Sequence, residues 1–113
     1  MIGKFVALNV ALEWVVSLRG VVDAIGRRDR DLADKIRRAA SSVPLNLAEG
    51  SRRAGKDRAH FFRIAAGSAA EARAALDVAV AWKYIAVEQL AQSSALLDRV
   101  LALCWRLTHV KAA

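Results

Sequence analysis

One proline, one cysteine and six glycines in 113 residues leave little to interrupt a helix and nothing to staple one. A lone Cys104 excludes an internal disulfide, and its place on an apolar stripe with Leu97 and Leu107 marks it as an inert core thiol. Aromatics make up only 6% of the chain, too few for a surface of stacked bases. Trp14, Trp82, Tyr84 and Trp105 all lie on or beside apolar stripes, so the expectation is that they are core. Acids are scarce relative to bases, 11 against 18. No apolar run reaches membrane-spanning length, because Glu71, Arg73, Asp77 and Lys83 break the longest tract, Ala65 to Val87. His60 and His109 stand apart from other ligand types. No metal spacing, glycine-rich phosphate loop or Ser/His/Asp arrangement is present, so no enzyme and no cofactor is expected. The opening "MIGKFVALNVALEWVV" imitates a signal peptide, but Asn9 and Glu13 interrupt it and its periodicity runs on. It reads as the first helix of a cytoplasmic protein.

What is present is helical. Hydrophobic residues reach 56%, rich in alanine, and no stretch alternates as a strand does. The expected fold is all-α: one domain over residues 1–113, an antiparallel up-down four-helix bundle with a kinked second helix. Leu8, Ala11, Val15, Leu18, Val22 and Ile25 set a first helix from Phe5 to Ile25, stopped by Gly26. Asp29 or Asp31 should cap a second helix starting near Leu32. Its apolar side (Leu32, Ile36, Ala40, Val43, Leu47) keeps phase through Pro44, which predicts a kinked but continuous helix rather than a loop. Ser41 and Ser42 are near enough to relieve the carbonyl that Pro44 frees. Gly50 or Gly55 offers the end. A third helix spans Lys56 to Ile85, its core stripe being Phe61, Ala65, Ala69, Ala72, Leu76 and Ala79. Its opposite side, Gly67, Ala70, Ala74, Val78, Ala81 and Ile85, is small or apolar where a monomer would show water a polar face, so a second interface between subunits is expected. The fourth helix runs from Val87 to Val110.

The net charge of +7 is concentrated. Residues 27–63 carry +6 of it, and nine of their eleven bases are arginine. Arginine forks onto phosphate better than lysine does. Arg27, Arg28, Arg30, Arg37, Arg38, Arg52, Arg53, Lys56 and Arg58 are therefore the candidate nucleic-acid-binding residues. A solvated helix face is the bland alternative, and Glu49, four residues before Arg53, can neutralise part of the cluster.

The stretches "KIRRAASSVPLNLAEGSRR" and "HFFRIAAGSAAEARAAL" resemble the paired motifs of the 23S rRNA intervening-sequence protein family. The matches include Ile36, Arg37, Arg38, Ala39, Ser42, Val43, Asn46, Leu47, Glu49 and Gly50, then Phe61, Ile64, Gly67, Ser68 and Glu71; Pro44 is a mild departure. The resemblance covers nearly the whole chain. It implies an up-down four-helix bundle, a ring-like homopentamer and a bacterial protein without a defined biochemical role. A relative, the accessory variability protein of diversity-generating retroelements, is by fold analogy a basic pentamer binding nucleic acid and a reverse transcriptase. Ser42, Asn46, Glu49, Gly50, Gly67, Ser68 and Glu71 are expected as structural motif residues, with Asn46, Glu49 and Glu71 capping backbone groups or bonding arginines within and between subunits, a direct contact to a ligand being the alternative for these three. The expectation is a non-enzymatic homo-oligomer, binding RNA before DNA with little sequence specificity and without a membrane. The alternative is a scaffold or accessory subunit for an acidic or nucleoprotein partner.

Overall fold

The computed structural model describes residues 5–109, and they form an all-α bundle. The helices are α1 (Val6–Ser17), α2 (Arg19–Gly26), α3 (Arg30–Ser51), α4 (Gly55–Ala81) and α5 (Ala91–Thr108), with a 3₁₀ turn at Val87–Leu90. Five helices stand where four were expected, because the first is divided at Leu18. There Ser17 Oγ donates to the Trp14 carbonyl at 2.6 Å, and Leu18 N–H turns to Val15 O. A serine bonding back to its own helix, with Gly20 close behind, suffices to interrupt the ladder. The apolar phase survives the break, and Trp14, Leu18, Val22 and Ile25 are all buried.

α3 is continuous through Pro44, as the unbroken phase predicts. Asp29 is its N-cap, accepting from Leu32 N–H at 3.0 Å. Ser42 does not serve the carbonyl freed by proline: its hydroxyl is bonded to Ser68 and Asn46. α4 stops at Ala81, four residues before the expected Ile85. Its end is a Schellman turn: Tyr84 N–H bonds Ala79 O, Lys83 N–H bonds Val80 O, and Lys83 takes φ 61°. No glycine marks this stop, so composition concealed it. Ile85, expected on the outer side of this helix, is instead buried beyond the turn. The 3₁₀ turn then precedes α5, and Val110 lies outside the described residues.

α3 lies between α2 and α4, and α5 closes the bundle by packing on α4 and α1. Along α3 and α4, Lys35 meets Glu71, Ser42 meets Ser68, and Gly50 meets Phe62. Numbers rising on one helix as they fall on the other make this pair antiparallel. Trp14, Ile25, Ile36, Val43, Leu47, Leu97, Val100 and Cys104 fill the centre. Phe62 is the buried ring of α4; Phe61, expected on the core stripe, is only half-buried. Trp82 and Trp105, also expected in the core, are 67% and 60% exposed. Both fall at the edge of an apolar stripe, where one step of helical phase separates core from solvent.

Candidate nucleic-acid interface

All nine candidate basic residues are exposed, but they do not form one compact cluster. α3 has 22 residues, about 33 Å at 1.5 Å per residue. Arg27, Arg28 and Arg30 gather at its start, and Arg52, Arg53, Lys56 and Arg58 at its end. Arg37 and Arg38 lie between.

Several of these side chains are already engaged. Arg37 bridges Asp34 at 3.1 Å and Asp23 at 3.5 Å, tying α3 to α2. Arg53 Nε donates to Glu49 Oε2 at 2.8 Å, and its guanidinium lies over Phe61. That hydrogen bond holds the Glu49 carboxyl below its ordinary value, with the charges of Arg53 and Arg52 adding to it, and pushes the Arg53 pKa up. Arg58 reaches back to the carbonyls of Gly50 and Ser51, both at 3.3 Å, and stacks over Phe62. Gly50 O also accepts from Arg53 N–H at 3.1 Å, so Arg58 adds a second donor there and supplies one to Ser51 O at the end of α3. Arg28 sits over the Tyr84 ring. Arg27, Arg30, Arg38, Arg52 and Lys56 make no side-chain hydrogen bond or ion pair among the described residues. Those five are the charges left for a partner.

The motif residues sit mostly along the seam of α3 and α4. Ser42 and Ser68 hydroxyls meet at 2.7 Å. Asn46 Nδ2 donates to the Ser42 carbonyl at 2.8 Å and its hydroxyl at 2.9 Å. Glu71 pairs with Lys35 at 3.3 Å, a lysine rather than an arginine. Gly50 lies against Phe62 so closely that a Cβ would stand 2.6 Å from the ring. Gly67 is exposed, with open space where its Cβ would be.

Two residues that were not among the candidate interface residues join the basic row. Ser41 and Leu45 line a shallow groove of about 440 Å³ with Arg37, Arg38, Ser42 and Asn46. Leu45 is 68% exposed. The signal was available: at about 100° per residue both fall on the same side of the helix as Arg38.

The molecule is thus defined as an all-α bundle with an exposed basic row along its third helix. Within that class, the model of the 23S rRNA-intervening sequence protein family matches residues 8–105, and the chain belongs to this family. A solved structure, a protein of unknown function from the S23 ribosomal protein family of Bacteroides thetaiotaomicron, superposes with a TM-score of 0.81. It is 18% identical, with 92% of this chain and 99% of that one covered, so the likeness is one of fold. No curated protein matches the sequence.

Proposed function

We propose that this chain is a non-enzymatic, cytoplasmic homo-oligomer that binds nucleic acid, RNA before DNA, through phosphate contacts from α3 and its flanking turns. The observation that carries this reading is the set of five exposed, unpaired bases (Arg27, Arg30, Arg38, Arg52 and Lys56) in a chain of net charge +7. Phosphate contacts hold a nucleic acid in place without reading its sequence. No tryptophan, tyrosine or phenylalanine interrupts α3, so base stacking on that helix is not part of the reading.

Assembly rests on α4. Gly67, Ala70, Ala74, Val78 and Ala81 are exposed, and Ile64 beside them is 36% exposed. Covering such a face with further copies, five in a closed ring, removes apolar surface from water and repeats the basic row once per subunit. The test is a fluorescence anisotropy titration of labelled RNA and DNA of unrelated sequences at low salt. Binding of all of them with similar affinity supports the reading. Absence of binding overturns it in favour of a protein scaffold, the second reading, which the exposed Trp82 and Trp105 favour because tryptophan is enriched in protein interfaces.

A further inference from the structure

The row along α3 also has a length, and that length matches a recurring distance in double helices. Taking Arg30 as zero and 100° per residue, Arg38 falls near 80° and Arg52 near 40°. Arg30, Arg38 and Arg52, the last at the C-cap, therefore share one exposed side of a helix that runs unbroken through Pro44. Arg30 and Arg52 are about 33 Å apart along the axis. The acids on this side are Asp31 and Glu49, at the edge of the row, and Asp34; Arg53 holds Glu49 at 2.8 Å and Arg37 holds Asp34 at 3.1 Å.

We propose that α3 binds double-stranded nucleic acid lengthwise, with Arg30 and Arg52 on backbone segments one helical turn apart and Arg38 between them. This rests on the nucleic-acid reading above and narrows its ligand to a duplex. Successive turns of a B-form DNA duplex bring the same strand back after about 34 Å, which is the span of the row; an A-form RNA duplex has a shorter turn. The bundle is about 22 Å across, whereas the major groove is about 12 Å wide. In this geometry α3, flanked by α2 and α4, lies over the backbone ridges, and its contacts are to phosphate. A duplex is stiff over about 150 base pairs and meets a rigid row without being ordered first. A single strand must be straightened to do so, and the row offers it no aromatic ring for stacking in return.

The experiment is an anisotropy titration with hairpin duplexes of about 6 and 16 base pairs, each closed by the same short loop so that the short one stays paired, made as DNA and as RNA, and a 16-nucleotide single strand. At about 3.4 Å per pair the short duplex spans about 20 Å and cannot touch both ends of the row. Affinity at least tenfold higher for the long duplex than for the short one, in DNA, RNA or both, is expected. The arm in which it occurs assigns the kind of duplex. Arg30→Gln and Arg52→Gln should each abolish that difference. Arg99→Gln on α5, the same loss of charge elsewhere, should leave it intact. Helicity by circular dichroism checks that each variant folds. Single strands bound as tightly as the long duplex, or a length dependence that survives Arg52→Gln, overturn the spanning geometry while leaving nucleic-acid binding in place. No binding to any probe overturns both.

Discussion

Gly50 shows how much one side chain decides. In a helix interior, glycine to alanine ordinarily gains about 1 kcal/mol. Here the new Cβ would stand 2.6 Å from the Phe62 ring, itself packed on Phe5 and Arg58. Overpacking costs about 1–3 kcal/mol, so Gly50→Ala should lower the thermal midpoint despite the better propensity. Pro44→Ala runs the other way. Removing proline from a helix interior gains about 3 kcal/mol. Losing two buried ring carbons costs about 1.6 kcal/mol, and freeing the unfolded chain costs up to about 1 kcal/mol. A small net stabilisation is expected in the same melting experiment. Lys83, a non-glycine residue at φ 61°, should be improved by Lys83→Gly, by about 1 kcal/mol. Burial pushes the Cys104 thiol up to about 11. The native protein should therefore resist alkylation at pH 8 and react only when unfolded.

At the scale of elements, the phase of α3 and its continuity through Pro44 could be read directly from sequence, because its apolar stripe runs unbroken, whereas its cap stayed open between Asp29 and Asp31 and its end between Gly50 and Gly55. The division of the first helix could not. It depends on one serine turning to its own backbone, and the spacing of Leu8, Val15, Leu18 and Val22 is indifferent to it. The end of α4 was hidden for a similar reason, since a lysine occupies the left-handed position that glycine usually marks. Asp29 binds these elements together: it caps α3, and its other oxygen accepts from Tyr84 Oη at 3.2 Å beyond α4. Asp29→Ala should cost about 1–2 kcal/mol by chemical denaturation, the cap alone being worth about 1. The Glu49–Arg53 pair predicts a pH dependence. The Glu49 pKa is lowered on folding, so its contribution is present above the ordinary carboxylate value of 4.5 and lost as pH falls through the lowered one. Glu49→Gln should flatten the acid side of the stability curve.

For the whole molecule, the charge concentration in residues 27–63 was legible in sequence, but its division into engaged and free side chains was not. Only the Glu49–Arg53 pair, four residues apart on one helix, was legible; the rest depends on Asp23 and the end of α3, which folding brings to Arg37 and Arg58. Assembly makes a separate prediction. Ala74 is exposed within one subunit, so Ala74→Glu should leave helicity unchanged while dissociating an oligomer seen by light scattering, because it would bury an unpaired charge between copies. A wild-type protein that scatters as a 12.3 kDa monomer contradicts that interface.

The most direct test of phosphate binding by the free arginines is the salt dependence of affinity for one duplex, wild type against Arg38→Gln with Arg52→Gln. Each phosphate neutralised contributes about −0.7 to −0.9 to the slope of log affinity against log salt. The wild type should show a steep negative slope, and the double variant one shallower by roughly 1.5 with an unaltered melting curve. A slope near zero in the wild type, or one that the double substitution leaves unchanged, contradicts the assignment of these side chains to nucleic acid.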